Sequence, residues 1–498
     1  MELSVLLLIL IPLITAILIP LIDIIYYKIR RFLVISGALA ELLLGLYILL
    51  GNYQELISGE LVYEYHLGGW SPVVGITLVM DNLSLIFTLL FTVSMFLIII
   101  YSIGFIGHDE GKYYVLLFLI MAAIQGTVLT GDIFNMYVFV ELITITSAAL
   151  VAFKRNREGT EASLKYMIYG VIGGLFFLLA VFLTYYNLGS LNMSYIAANF
   201  NSVNLMMKAL ITIFFLTAIF LKMGVFPFHF WLPKAHSSCP GPVSAFLSGV
   251  LLKVFLYIFL RFFWQVYGYG IFIDSGLNNF IIYLALFSST IGHLLALRED
   301  DIKRMLAFSS IGHIGMIAAV FALNTLPGLF SGLLHIISHL LMKSTLFLIV
   351  GYLLQFTESH HIADFNGVAY RNHKVFIAFI ISAMGMIGIP PLPGFFSKYY
   401  IIQAFIEAGK TWAGVLIVIL SVISLFYYLR YIFRAYDLLD YKQGLKPVKP
   451  NLVLSEFYRE RIVTGVVYVF TGLEIISGVF NWVFNLPLVK AIQVLLGG

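Results

Sequence analysis

Charged residues and cysteine are both scarce in this sequence. Only 11% of the 498 residues are charged, whereas 61% are hydrophobic, and a soluble globular protein has about 25% charged residues. So few charges could not cover the surface of a soluble fold of this length. The single cysteine, Cys239, excludes a disulfide framework and any cysteine-ligated zinc or iron–sulfur site within the chain. No basic run indicates a nucleic-acid partner.

Long apolar stretches make up most of the sequence. A membrane-spanning helix needs about 20 apolar residues, and we therefore predict an all-α membrane protein with 14 transmembrane helices, forming a single polytopic membrane domain over residues 1–498. The lipid bilayer is then a partner along the whole chain. The predicted spans are 4–22, 32–51, 76–104, 113–130, 132–153, 164–186, 207–233, 242–264, 278–297, 303–322, 328–355, 375–408, 412–434 and 462–484.

The positions of lysine and arginine test this set of spans. With the loops numbered in order, 21 of the 29 basic residues fall in or beside odd-numbered loops, 4 fall on the even side, and the remaining 4 lie inside spans. Basic residues concentrate in cytoplasmic loops. The distribution therefore predicts that the odd loops face the cytoplasm and that both termini lie on the outer side.

Two oppositely charged residues lie at membrane depth. Glu141 is in the fifth predicted span and Lys222 is in the seventh. Ionisable residues cost several kcal/mol each in a bilayer, so they indicate function by default. A buried carboxylate and ammonium can pair, and a lysine left unpaired there can lose its proton near neutral pH. The pair is thus a candidate proton switch. The alternative is a static salt bridge that fixes helix packing.

Further titratable residues follow along the chain. Lys253 and Lys398 lie inside the eighth and twelfth spans, and His335, His339 and Lys343 are spaced four apart on one face of the eleventh. A neutral histidine both accepts and donates a proton, so this face could relay one. Two histidines four apart can also bind zinc, but no glutamate follows the first, and we predict no metal. His293 and His313 are candidates for the relay or for packing.

Two spans are interrupted by proline. Pro227 and Pro233 lie in the seventh span, with His229 between them, whereas Pro390, Pro391 and Pro393 lie in the twelfth. Such breaks occur where backbone is buried in protein or lines a wet cavity. Interrupted spans at corresponding positions of two halves indicate inverted repeats. We therefore predict two five-helix repeats, residues 113–264 and 278–434, in which helices 7 and 12 are broken.

Three motifs carry a resemblance to a known family: Phe226-Pro-Phe-His-Phe-Trp-Leu-Pro-Lys-Ala-His236 followed by Gly249-Val-Leu-Leu-Lys253, Gly131-Asp-Ile-Phe-Asn-Met-Tyr-Val-Phe-Val-Glu141, and Asp301-Ile-Lys-Arg-Met-Leu-Ala-Phe-Ser-Ser-Ile-Gly-His313. The sequence resembles the antiporter-like subunits of complex I, Mrp antiporters and membrane-bound hydrogenases. The resemblance implies 14 core helices and a proton path. Its site residues would be the helix 5 glutamate Glu141, the lysines Lys222, Lys253 and Lys398, and the relay histidines His335 and His339, supported by Lys343, His229 and His313.

The chain resembles the shorter members of this family, such as the D-type Mrp subunit, because it has no long lateral helix after span 14. The segment Ser237-Ser-Cys-Pro-Gly-Pro-Val departs from the Mrp D pattern and is closer to hydrogenase-type complexes.

The leading hypothesis is therefore a proton-translocating subunit of a redox-driven complex, which could also carry sodium. It would sit in a prokaryotic cell membrane with other membrane subunits as partners and carry no cofactor of its own. The alternatives are the D-type subunit of an Mrp sodium/proton antiporter, a stand-alone solute transporter, and a redox subunit. The line of charged residues disfavours the solute transporter, and the lack of cysteine clusters disfavours the redox subunit.

Overall fold

A computed structural model describes residues 2–26, 29–107, 110–270, 276–357, 359–437 and 454–495. Helices make up nearly all of it, which confirms the predicted all-α membrane fold. The helices are α1 (Glu2–Tyr26), α2 (Arg30–Gly51), α3 (Tyr53–Ser58), α4 (Asn82–Phe105), α5 (Glu110–Leu129), α6 (Ile133–Val151), α7 (Arg157–Leu188), α8 (Met193–Asn199), α9 (Leu205–Met223), α10 (Trp231–Ser238), α11 (Gly241–Val266), α12 (Leu277–Arg298), α13 (Ile302–Phe321), α14 (Leu326–Thr357), α15 (His373–Ile387), α16 (Pro393–Glu407), α17 (Thr411–Tyr436), α18 (Leu454–Val479) and α19 (Asn485–Leu495).

Thirteen segments of the described residues are long and apolar enough to cross a membrane. One of these segments combines α9 and α10. The predicted twelfth span, 375–408, is divided between the two shorter helices α15 and α16. Most of the predicted loop 435–461 lies outside the described residues. The inverted repeats and the outward-facing termini remain predictions.

One predicted span begins too early. Residues Thr77–Asp81 form strand β2, which pairs antiparallel with β1 (Val62–His66), so α4 begins at Asn82 rather than near residue 76. The Asp81 side chain accepts a hydrogen bond from the Ser84 amide at 2.8 Å and caps the helix. An N-cap residue has non-helical backbone angles, and Asp81 is extended at φ −119° and ψ −177°, so the helix begins at the next residue. The hairpin was not predicted.

The centre of the bundle is formed by α11, α13 and α14, whose residues are almost all buried. Helices α11 and α14 cross at Gly241 and Gly351, where a Cβ on Gly241 would lie 2.8 Å from the Gly351 Cα. Small residues at crossings let transmembrane helices approach closely. These central helices carry Lys253, His313, His335, His339 and Lys343.

The two helix breaks have the same sequence of structural elements. Helices α9 and α15 each end at a glycine in the left-handed region, Gly224 at φ 65° and Gly388 at φ 100°. A short irregular segment follows, and a second helix, α10 or α16, resumes the path. Pro227 lies in the first break and Pro390 and Pro391 lie in the second. Pro233 and Pro393, which we also assigned to the breaks, lie instead in the first turns of α10 and α16, where the missing amide leaves no gap in the helix.

Candidate functional site

The predicted pair of Glu141 and Lys222 forms in the structure. The Lys222 Nζ lies 3.0 Å from Glu141 Oε1, and it also donates to Thr144 Oγ1 at 3.0 Å and to the Gly170 carbonyl at 3.1 Å. The lysine side chain is 1% exposed and that of the glutamate 20% exposed. All three donor positions of the ammonium are therefore used, and the pair lies between the interior and the outer surface of the chain.

Glycines of α7 make room for this pair. A Cβ on Gly174 would lie 2.3 Å from Glu141 Oε1, and a Cβ on Gly170 would lie 2.4 Å from the Thr144 methyl. Any side chain at Gly174 would displace the carboxylate. The sequence Tyr169-Gly-Val-Ile-Gly-Gly174 is thus part of the site, although we assigned these glycines no role from the sequence.

Two cavities lie on either side of the first helix break, one beside Lys222 and one at the basic end of the bundle, the end that carries the lysines and arginines of the odd-numbered loops. A cavity of about 10 Å³ touches Lys222, Thr144 and Trp231, which is close to the space that one water needs. A larger cavity of about 730 Å³ lies in the basic end, and His229 from the first break lines it together with Glu161, Lys234 and Asp301. The first break therefore lies between solvent at the basic end and the buried pair.

Lys253 follows a π-helical turn of α11, residues Leu247–Leu251, a feature that is frequent at functional sites. Its Nζ donates to the Ser248 carbonyl. The Ser248 hydroxyl lies 2.7 Å from the Ser310 hydroxyl of α13. The neighbouring Ser309 accepts a hydrogen bond from Lys343. Lys253 of α11 and Lys343 of α14 therefore each contact a serine, and the Ser248–Ser310 contact links α11 to α13 between them.

The Lys343 side chain contacts residues of α13 and α17. Its Nζ donates to the Leu306 carbonyl at 2.9 Å and lies 3.5 Å from the Tyr428 hydroxyl. Ser309 and Ser310 belong to the third family motif, but we did not single them out from the sequence. Only the packing of α13 between α11 and α14 indicates their position between the lysines.

Four histidines form a cluster beyond Lys343. His313 Nδ1 lies 2.9 Å from His335 Nε2, and the rings of His293 and His339 have centroids 5.2 and 5.1 Å from that of His313. Both ring nitrogens of His339 are buried without a hydrogen-bond partner among the described residues. The structure thus places His293 and His313, for which the sequence predicts either a relay or a packing role, beside the two predicted relay histidines.

The cluster ends at Lys398. His335 Nδ1 lies 2.8 Å from the hydroxyl of Ser397, which precedes Lys398 in α16. The Lys398 Nζ donates back to the carbonyls of Met386 and Ile387 at 2.7 and 3.1 Å and to Ser421 at 3.0 Å. Carbonyls at a helix C-terminus lack partners within the helix and attract a cation. The second break therefore holds Lys398 at the end of α15.

A second buried ion pair was not predicted. Arg261, which we counted among the four basic residues of the even side near the end of the eighth predicted span, lies in α11 and donates to both carboxylate oxygens of Asp81 at 2.5 and 2.6 Å. Lys303, which we assigned to a cytoplasmic loop, is buried in the first turn of α13 and donates to the Cys239 carbonyl at 2.7 Å. Among the described residues, no group of three or more His, Cys, Asp or Glu side chains could hold a metal ion.

The comparison with protein families matches residues 130–424 to the transmembrane region of the NADH:quinone oxidoreductase/Mrp antiporter family. The chain belongs to this family. The match covers Glu141, both helix breaks, the central lysines and the histidine cluster. The resemblance seen in the motifs is thereby confirmed, and so is the predicted antiporter-like membrane subunit.

Similar proteins span most of the chain. The N subunit of the NADH-quinone oxidoreductase of Desulforudis audaxviator is 34% identical, over 82% of this chain and 81% of that protein. The D-type subunit of the Na(+)/H(+) antiporter of Alkalihalophilus pseudofirmus is 30% identical, over 79% of this chain and 81% of that protein. A chain in the structure of the membrane-bound sulfane sulfur reductase, an archaeal respiratory membrane complex, is 28% identical with a TM-score of 0.90, covering 100% of this chain and 98% of the other.

Proposed function

We propose that the chain is a proton-translocating subunit of a redox-driven, multi-subunit complex in a prokaryotic cell membrane. The observation that carries this proposal is a set of buried ionisable and hydroxyl side chains, which we call the proton line: the Glu141–Lys222 pair, Lys253, Ser310, Ser309, Lys343, the histidine cluster and Lys398. Buried charges and imidazoles are costly at membrane depth and mark ion pathways. No redox group is proposed for this chain, so the redox reaction would belong to partner subunits.

The proposed route starts at the basic end. A proton enters the large cavity past His229 and reaches Lys222, with water in the small cavity linking the two. From Lys222 it passes to Lys253 and then across the serines of α13 to Lys343. The histidine cluster carries it to Ser397 and Lys398, from which it leaves on the other side. The histidines and hydroxyl groups on this route both donate and accept hydrogen bonds, and a buried lysine can lose its proton.

Movement of Glu141 would drive the transfer. While Glu141 neutralises Lys222, a positive charge on Lys253 is tolerated. If Glu141 moves away, the unneutralised Lys222 repels a proton on the next lysine, and this repulsion is strong in a low-dielectric interior. The position of Glu141 supports such movement, since its side chain is partly exposed at the outer surface. The alternative, a static salt bridge, would leave pumping insensitive to the length of the Glu141 side chain.

Glu141 also locates a partner surface. It lies on the same face of α6 as Phe134, Val138 and Ile145, which are 45%, 46% and 58% exposed. A partly exposed carboxylate facing acyl chains would be costly. We therefore propose that another membrane subunit covers this face, in keeping with the multi-subunit assemblies of the similar proteins.

The decisive experiment is Lys253→Met in the assembled complex. Inverted membrane vesicles would be energised, and proton uptake would be followed with a pH-sensitive dye, after co-purification has shown that assembly is intact. We expect loss of proton uptake because the central step of the line is removed. Lys374→Met, which removes an exposed lysine at the start of α15, should pump normally. Normal pumping by Lys253→Met would refute the proposed route.

The second candidate is the D-type subunit of a sodium/proton antiporter, which the 30% identity to the Alkalihalophilus pseudofirmus protein favours. Gentle purification and mass spectrometry of the co-purifying subunits separate the two candidates. Subunits with metal clusters would support the redox-driven pump. Membrane subunits alone would support the gradient-driven antiporter.

A further inference from the structure

A polar cluster lies away from the proposed proton line, where α2, α4 and α5 meet. The side chains of Glu41, Thr92 and Gln125 are 0%, 0% and 1% exposed. The Gln125 Nε2 donates to Glu41 Oε1 at 3.1 Å and to Thr92 Oγ1 at 2.7 Å. One amide therefore holds the carboxyl group of α2 beside the hydroxyl group of α4.

No cation within the described part of the chain is paired with Glu41. The charged residues of the helices around it cluster at their basic ends, where Arg30 pairs with Asp23 and both Arg30 and Arg31 bind Glu110. Arg30 is eleven residues from Glu41 along α2, which corresponds to about 16 Å. A lone ionised carboxylate in such surroundings is very costly, so Glu41 must hold a proton or a bound cation.

Two oxygens of this cluster, Glu41 Oε2 and Gln125 Oε1, have no hydrogen-bond partner in the described residues, and neither has Thr88 Oγ1 of the adjoining turn of α4. Thr88 lies one turn before Thr92 on the same face of α4. Buried polar atoms without partners are rare and call for an explanation such as an ion. Carboxylate, amide and hydroxyl oxygens are the ligands that hard cations take.

The single negative charge of the cluster favours a cation with one positive charge. One carboxylate neutralises one positive charge, whereas a divalent ion would leave a net charge in apolar surroundings. The helices are also close here, because a Cβ on Gly45, one turn after Glu41, would lie 3.3 Å from Leu89. Both features favour a small monovalent cation.

We propose that Glu41, Thr92 and Gln125 bind one sodium ion in exchange with a proton on Glu41. Only the link to transport rests on the proposed function; the binding site rests on the cluster itself. In the proton-bound state, the Gln125 amide nitrogen faces the carboxyl group. A half-turn of the amide would bring Gln125 Oε1 toward Glu41 and Thr92, so that three oxygens face the ion.

The chain contains a matched control in Glu474 of α18. This carboxyl group is also buried, at 1% exposure, but both its oxygens accept hydrogen bonds, from Thr345 and Ser382. Its oxygens are thus already satisfied by protein donors. Glu474 should therefore hold its proton without binding sodium.

Carbodiimide labelling tests the proposal. A hydrophobic carbodiimide reacts with protonated carboxyl groups in membranes, and mass spectrometry of the native complex measures labelling at each glutamate. We expect saturating sodium chloride to slow the labelling of Glu41 about tenfold relative to choline chloride and to leave Glu474 unaffected. Equal labelling of Glu41 in both salts, or equal protection by potassium, would overturn the sodium site.

Thermal unfolding of the same complex tests sodium binding independently, because it does not require the reagent to reach Glu41. A ligand that binds only the folded state raises the unfolding temperature. Sodium should raise it in the unmodified complex but not in Glu41→Gln, which keeps a hydrogen-bonding side chain and loses the charge. A sodium effect that persists in Glu41→Gln would refute the site. Either failure leaves the Lys253→Met test of the pump untouched.

Discussion

His313 and His335 are joined ring to ring, with Nδ1 of His313 2.9 Å from Nε2 of His335. One nitrogen of such a pair donates while the other accepts, so a proton transferred between the rings reverses both roles. On the far side, His335 contacts the Ser397 hydroxyl at 2.8 Å. His335 therefore connects α13 to α16, the helix that follows the second break.

His335→Gln should lower the rate of proton uptake about a hundredfold, because positioned proton-transfer groups typically contribute that much or more. Glutamine keeps a polar side chain but cannot take up a proton. Vesicle uptake assays on the assembled complex measure the effect. His66→Gln is the control, since that histidine lies in the hairpin with a 38% exposed side chain. Equal rates for the two variants would remove His335 from the route.

Gly174→Ala should impair both pumping and stability. The added Cβ would meet Glu141 Oε1 at 2.3 Å, and forcing extra atoms into a packed site typically costs about 1–3 kcal/mol. We expect proton uptake to fall because Glu141 is pushed from Lys222. Dye-based uptake and thermal unfolding of the purified complex provide the two measurements.

Gly472→Ala is the matched control for that substitution. Gly472 also lies within a helix, α18, but a Cβ there would meet nothing within 4 Å. Alanine favours a helix over glycine by about 1 kcal/mol, so this variant should be as stable as the parent or more so. A loss of pumping in Gly472→Ala equal to that in Gly174→Ala would show that the effect is not specific to the pair.

Asp81→Asn should destabilise the chain by about 3–5 kcal/mol, because removing one partner of a buried ion pair leaves the other charge unpaired. The guanidinium of Arg261 would then be buried without its carboxylate, although asparagine can still cap α4. Thermal unfolding of the assembled complex measures the loss. The double variant Asp81→Asn with Arg261→Gln should recover part of it. No recovery would mean that the pair does not act as a unit.

Acidification should destabilise the basic end through Asp301. Burial by itself raises the pKa of this carboxyl, but the hydrogen bond with His360 and the Arg304 amide outweigh burial, so the pKa lies below its ordinary value of 3.8. A lowered pKa stabilises the fold at higher pH, and this contribution disappears as the pH falls through the lowered value. The unfolding temperature should therefore fall more steeply below about pH 4 in the parent than in Asp301→Asn. The control is the neighbouring Asp300→Asn, which changes a 78% exposed side chain and should follow the parent curve. Identical curves for the parent and both variants would contradict a stabilising role of the ionised Asp301.

The lengths of the apolar runs and the types of a few residues determine the order of the spans, the helix breaks and most of the candidate site. Runs of about 20 apolar residues can be satisfied only as helices in a bilayer, so the order of the spans follows from the sequence. The prolines predicted the two breaks, and the scarcity of charge made Glu141, Lys222, Lys253 and Lys398 conspicuous. The motifs then indicated the family that the comparisons confirm.

What the sequence did not determine depends on contacts between distant helices. Whether Arg261, near the end of the eighth predicted span, is exposed or buried depends on Asp81, which is 180 residues away. The roles of Gly174, Ser309 and Ser310 are visible only when α7 meets α6 and when α13 lies between α11 and α14. Small and hydroxyl side chains are common in helices and carry no periodic signal, so only tertiary packing distinguishes those that form the site from those that merely fill space.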